Sequence, residues 1–269
     1  MNVTEYRNKA VFIIMIIIVV VCSIILFSKF NFQRKYIQTG LDYNGYKTVV
    51  IISLDDLSRP SESWDNAIKM LVNKKLPHTV GVITNKADWD YIRDISDNEY
   101  TEIASHSRTH DKLSVENYDY ESEIGGSKEE IFKNLGVTVV SYILPYGMWD
   151  DKVSKTLIEN EYIVFRTHVN TPLVKGLYLS DHEIEMGNLW GTNDPETLNT
   201  AFDQSYKDNK IYHLRIHPAH VNWANNSYSD KHLSYISNRS DVWYVSMGDF
   251  YMYNLNFARA STSESRGSG

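Results

Sequence analysis

Cysteine is almost missing from this chain of 269 residues. The only one, Cys22, lies inside an apolar N-terminal run, so the polar body downstream has no disulfide, no thiolate nucleophile and no cysteine-ligated metal. Proline and glycine are sparse as well, at 6 and 13 residues, which excludes collagen and low-complexity chains rich in those residues. Basic residues are fewer than acidic ones, 27 against 34, for a formal charge of -7. Residues 1–35 hold Arg7, Lys9, Lys29, Arg34 and Lys35 against Glu5 alone, so the remainder carries -11. No basic stripe interrupts that acidic body, which would repel a phosphate backbone, and no nucleic acid partner is expected. A Gly-rich phosphate loop is also lacking, which argues against phosphotransfer chemistry. The chain is 42% hydrophobic and 13% aromatic, the profile of one sizeable globular domain.

One long apolar run exists, Ala10 to Phe27, AVFIIMIIIVVVCSIILF, with no charge in 18 residues. As a helix it measures about 27 Å, close to a hydrocarbon core of about 30 Å. Ser28-Lys29-Phe30 provides no small-residue cleavage site, so an uncleaved transmembrane helix is expected rather than a signal peptide. Basic residues flank the run on both sides and do not set its orientation. The expected organisation is an anchor with flanks over 1–31, a polar tether over 32–45, the domain over 46–257 and a small, polar, disordered tail over 258–269. The oligomeric state is not legible.

Within the domain, apolar runs of strand length alternate with helical stretches. The strands are expected at Thr48 to Leu54, Thr79 to Thr84, Glu102 to Ser105, Val137 to Leu144, Tyr162 to Thr167, Gly176 to Ser180, Tyr212 to Ile216 and Val242 to Val245. Several are continuous and β-branched, as in strands covered on both faces. Helices are expected at Ser63 to Lys74, Lys128 to Asn134, Lys152 to Asn160 and Glu196 to Asp208. This alternation argues for an α/β fold with parallel strands, and seven or eight units suit a (β/α) barrel.

Polar chemistry concentrates at candidate strand ends, the active edge of α/β folds. The first strand finishes in Asp55-Asp56, whose side chains point in different directions, so one carboxylate can bind a metal while its neighbour acts as a base. The segment EIASHSRTH carries His106 and His110 four apart, a spacing that on one helical turn puts both imidazoles on the same side. Two neutral imidazoles and one carboxylate leave an open position on a divalent metal. Leu144-Pro145-Tyr146-Gly147 reads as a tight turn with an aromatic. In IYHLRIHPAH, Pro218 stops the strand at His217, a candidate general acid, whereas His213 and His220 read as structural or surface residues.

Together these segments resemble the polysaccharide deacetylases of the NodB-homology class, carbohydrate esterase family 4. SLDDL is similar to the family's TFDDG, SHSRTH to its H-[ST]-x-[ST]-H segment, and LPYG to its Pro-Tyr-Gly turn, in the same order, over residues 46 to 253. The resemblance implies a distorted (β/α) barrel. It implies that Asp56, His106 and His110 hold one divalent metal, zinc by preference, with cobalt or nickel as alternatives. Asp55 matches the catalytic base and His217, protonated, the catalytic acid. Tyr146, beside Pro145, matches the oxyanion site through its backbone amide. The implied activity is removal of N-acetyl, or O-acetyl, groups from a cell-surface or cell-wall polysaccharide, by a membrane-anchored domain on the extracytoplasmic side.

Three departures accompany the likeness. Leu57 stands where the family has Gly. Ile143 stands where it has an Arg that orients the base. The fourth motif is represented at best by Asp181, with Trp190 or Trp223 as an aromatic wall. A catalytically impaired, membrane-tethered glycan-binding module on the same fold is the alternative reading.

Overall fold

The computed structural model describes residues 41–114, 116–167, 184–189 and 194–256. Among them eight strands form one sheet: β1 (Thr48–Leu57), β2 (His78–Val82), β3 (Thr101–Ser105), β4 (Ser141–Ile143), β5 (Val164–Arg166), β6 (Ile184–Leu189), β7 (Ile211–Ile216) and β8 (Val242–Tyr244). Every pairing is parallel, in the order β5-β4-β3-β2-β1-β7-β6, with β8 also paired to β1. The expected α/β class with parallel strands is therefore present. The strand expected at Gly176 to Ser180 lies outside the described residues, as do the apolar run at 10–27 and the tail at 258–269. No helix of the described residues is long and apolar enough to cross a membrane.

Six helices cover the strands: α1 (Glu62–Asn73), α2 (Trp89–Ser96), α3 (Ser127–Leu135), α4 (Asp151–Glu159), α5 (Pro195–Asp208) and α6 (Tyr228–Ile236). Their starts are written locally. Ser61, Asp88, Asp150, Asp194 and Ser227 accept hydrogen bonds from first-turn amides, satisfying donors a helix start leaves open. Gly136, left-handed at φ 72°, ends α3. A seventh helix, α7, occupies residues 247–256.

Alternation along the strands divides the core in two. Val50, Ile52, Leu54 and Leu57 of β1 join the apolar layer shared with Trp64, Leu71 and Leu233 of the helices. Val49 and Ile51 face the other way with Ala104, Ile143, Val164 and Ile211, and this inner surface is filled by Met247, Phe250, Tyr251 and Leu255 of α7. Glu102, at the base of β3, fastens α7: its carboxylate accepts from the Gly248 amide at 2.8 Å, Thr79 Oγ1 at 2.7 Å and Ser141 Oγ at 2.6 Å. The apolar half of the inner surface is thus plugged, and its polar half lies toward the C-terminal strand ends.

Sequence patterning missed β6, α2, α6 and α7. It also drew β4 too long, since only Ser141–Ile143 pair of the β-branched run that begins at Val137.

Candidate metal centre

The layer assignment of β1 explains how two adjacent carboxylates reach one site. The outward series runs Val50, Ile52, Leu54 and then Leu57, one residue late, and the register shifts between Leu54 and Leu57. The extra residue is a β-bulge. Asp56 sits in it with φ 76°, a left-handed conformation in which Asp is among the better tolerated residues. Asp55 therefore points inward, Asp56 is turned over the strand end, and Leu57 returns to the buried outer layer. The replacement of glycine by Leu57 is accommodated because the left-handed position falls on Asp56.

Asp56 meets both histidines. Its Oδ1 lies 3.1 Å from His106 Nε2 and 3.1 Å from His110 Nε2, and one ligand atom from each of the three residues falls within 4.8 Å of the others. The histidines do not share a helical turn, contrary to the expectation from their spacing. They lie on the loop after β3, which bends through left-handed backbone at Ser107, φ 65°, and His110, φ 67°. His106 is buried under this loop, and its Nδ1–H donates to the Ile143 carbonyl at 2.8 Å. That bond leaves Nε2 of a neutral ring as an acceptor aimed at a carboxylate. Two acceptors facing each other at 3.1 Å require a cation between them, a proton or a metal.

The donor set fits a divalent ion. Donors about 2.0–2.2 Å from one zinc ion stand about 3–3.5 Å from each other, which the two Asp56–histidine separations of 3.1 Å match, and the backbone carbonyl behind His106 is the outer partner that metal-bound imidazoles ordinarily have. Burial pushes the Asp56 carboxyl up, but hydrogen bonding and charge from the two imidazoles more than reverse this and hold it well below the usual carboxylate range. Gly81 makes room beneath: a Cβ there would come within 3.2 Å of His106 Cβ and 3.0 Å of Ile143 Cδ1.

Asp55 is 4% exposed, and a buried carboxylate needs a partner. Sequence comparison with the family pattern leaves it without one, because Ile143 replaces the expected arginine. The structure corrects this. Ile143 on β4 is in register with Arg166 on β5, and Arg166 Nη2 lies 2.5 Å from both Asp55 oxygens. Arg166 is 1% exposed, so the guanidinium and carboxylate form a buried ion pair. The guanidinium thus reaches Asp55 from the strand next to that of Ile143.

His217 closes the other side. Its Nε2 stands 3.5 Å from Asp55 Oδ2 and 3.9 Å from Asp56 Oδ2. Burial lowers its pKa to about 4; Asp55 and Asp56 oppose this, and Arg166 and Arg215 add to it. Burial thus favours the uncharged ring, while the two neighbouring carboxylates favour the proton expected of a catalytic acid. Trp223 is largely buried, with Nε1–H donating to the Pro218 carbonyl at 3.0 Å; it braces the turn behind His217 rather than forming an open aromatic wall. Asp181 and Trp190 lie outside the described residues.

The Pro145–Gly147 turn stands over the metal triad. The Tyr146 ring is 4.8 Å from the His110 ring and half exposed, and its backbone is left-handed at φ 55°. The Gly147 and Met148 amides donate to the Leu144 and Pro145 carbonyls, and Pro145 has no N–H. Tyr146 supplies the turn's remaining amide. Glu123 was not anticipated from sequence: it is buried beneath the histidine loop and accepts from its amides. A lone Glu in a helical stretch carries no signal of that role.

A family model described as Polysaccharide deacetylase matches residues 42–164. Among solved structures, one described as a putative polysaccharide deacetylase from Mycobacterium smegmatis is similar with a TM-score of 0.65 at 15% identity, covering 81% of this chain and 93% of that one. A peptidoglycan N-acetylglucosamine deacetylase is similar at TM-score 0.56 and 14% identity, over 78% and 94% of the two chains. A pseudoenzyme of carbohydrate esterase family 4 shares the fold too, at TM-score 0.52 and 13% identity, over 76% and 67%. The comparison with curated proteins finds no match. Residues 42–164, which hold both carboxylates, both histidines and the Pro-Tyr-Gly turn, match the polysaccharide deacetylase family model, and the described fold is that of solved deacetylases of this class.

Proposed function

We propose that the protein is a metal-dependent polysaccharide deacetylase that hydrolyses N-acetyl groups on a cell-surface or cell-wall glycan, with an O-acetyl ester as the related substrate. One observation carries the reading: Asp56, His106 and His110 lie together beside a second, inward carboxylate that is paired with Arg166. The substrate class is supported by the peptidoglycan N-acetylglucosamine deacetylase of the same fold.

Asp56, His106 and His110 would hold the ion, zinc by preference. A divalent ion there supplies Lewis acidity, polarising the acetyl carbonyl and acidifying water. Asp55, fixed by Arg166, takes the proton of the attacking water. The Tyr146 amide donates to the oxyanion, a contact of a kind worth about 3 kcal/mol. His217 then delivers a proton to the departing amine, without which an amide nitrogen is a poor leaving group. His217 Nε2 stands 3.5 Å from Asp55 Oδ2, so the proton that Asp55 removes can pass to the imidazole and on to the departing amine. The apolar run at 10–27 supports a membrane anchor; the extracytoplasmic side follows only from the proposed glycan substrate, which would lie there.

The test is acetate release from a chitin oligomer with and without chelator. Release that chelation abolishes supports the enzyme; binding of the oligomer without release supports the glycan-binding module.

A further inference from the structure

The loop that carries His110 is built from unfavourable backbone. Ser107 and His110 are both left-handed, conformations that are strained in non-glycine residues and persist only where the surroundings fix them. Part of the fixing is internal: the His110 amide donates to Ser107 Oγ at 2.8 Å. Thr84 and Asn85 amides hold the outer side through the Ser107 and Arg108 carbonyls.

Ser105 Oγ accepts from the Ser107 amide at 3.3 Å and Glu130 from Arg108 Nε at 2.9 Å; the two amides between the strained residues are held by a buried carboxylate. Glu123 is 6% exposed. Its Oε2 accepts from the Arg108 amide at 3.1 Å and the Thr109 amide at 2.9 Å, and its Oε1 accepts from Thr109 Oγ1 at 2.8 Å. Two successive backbone amides converging on an anion form a nest, and the anion here is supplied by the chain itself. Glu123 reaches inward because Ser122–Gly126 is a π-helical turn rather than a regular one. Gly125 permits that turn to pack, since a Cβ there would run into Glu121 and Asn160 side chains.

We propose that Glu123 is a positioning residue for the metal centre: by clamping the Arg108-Thr109 amides it sets where His110 Nε2 meets Asp56. This rests on the metal reading given above. The clamp depends on reach and acceptor geometry. A glutamine can reproduce it, its carbonyl accepting from both amides and its NH2 donating to Thr109 Oγ1. An aspartate keeps the charge but is one methylene too short.

The experiment is zinc affinity of the full chain, measured by competition with a chromogenic chelator, for the unaltered protein and for Glu123→Ala, Glu123→Asp and Glu123→Gln, with urea unfolding of each metal-free form alongside. Glu123→Ala and Glu123→Asp should weaken zinc binding by about 10–100-fold, the size expected on losing an outer partner, whereas Glu123→Gln stays near the unaltered chain. Should Glu123→Ala fail to fold, the Asp and Gln variants still decide. Unchanged affinity in the Asp variant, with only its unfolding midpoint lowered, would make Glu123 a plain structural prop and overturn the proposal. Weakening by Gln while Asp keeps full affinity would overturn it in favour of charge. If the unaltered chain binds no zinc, the metal reading falls with it; if it binds and the variants bind alike, only this inference falls.

Discussion

Asp55 and Arg166 are 111 residues apart in the chain and 2.5 Å apart in space, with both groups almost wholly buried. Arg166 lies in register with Ile143 on the neighbouring strand, at the same level of the inner layer. A buried carboxylate left without its cation costs about 3–5 kcal/mol. Arg166→Met should therefore destabilise the domain by roughly that amount in urea unfolding and lower acetate release more than zinc affinity. Moving the guanidinium back, with Ile143→Arg and Arg166→Ile together, should recover part of the loss. A double variant no better than Arg166→Met would show that the two positions are not equivalent.

The division of labour between the two aspartates is separable. Asp55→Asn should abolish turnover while zinc stays bound, because Asp55 faces Arg166 and His217 rather than the histidine pair. His106→Ala should lose the metal, since it removes the ligand whose other nitrogen is fixed by the Ile143 carbonyl. Equal zinc loss in both, measured on the purified variants, would contradict the assignment.

Rate against pH tests the state of His217. With its pKa lowered to about 4 by burial, the free enzyme needs the neutral imidazole, so kcat/KM should fall on the acid side near pH 4 and show no loss as pH rises through 6.5. A loss centred near 6.5 on the alkaline side would mean that His217 starts the cycle protonated.

Stability against pH has a separate source, remote from the metal. His78 is fully buried, its Nδ1–H donating to the Leu76 carbonyl, and burial lowers its pKa from 6.5 to about 4 although that bond opposes the change. The unfolded chain takes up this proton first, so stability is full above pH 6.5 and is lost as pH falls toward 4, by about 3 kcal/mol for this group. Urea midpoints at pH 7 and pH 4.5 should differ in that direction, and by less in His78→Asn. Identical pH dependence in that variant would remove His78 as the cause.

What sequence made legible, and what it did not, divides by the range of the interaction. Asp55-Asp56 at the end of an apolar strand and the pair His106, His110 are local patterns, and the structure brings all four to one edge of the sheet. The bulge at Asp56 is local too, but an alternation shifted by one residue is visible only against known layers. His106 and His110 have helical spacing, yet the loop between them is set by amides that bind Glu123 and Ser107, contacts that spacing does not encode. Arg166 was invisible because an ion pair between β1 and β5 has no signature in either strand; VFRT reads as an ordinary strand end. The C-terminal helix 247–256 was missed because it buries Met247, Phe250, Tyr251 and Leu255 inside the sheet, a broad apolar face rather than an amphipathic stripe.

The central claim is that Asp56, His106 and His110 hold an ion on which hydrolysis depends. The measurement that tests it most directly is acetate release from an N-acetylated glycan by the purified chain, before chelation, after chelation and after zinc is returned, with zinc content determined at each stage. The account predicts release at first, none after chelation, recovery with about one zinc per chain, and neither zinc nor release in Asp56→Ala. Release that persists in the zinc-free protein, or a chain that carries its zinc and binds the glycan yet frees no acetate, would contradict it.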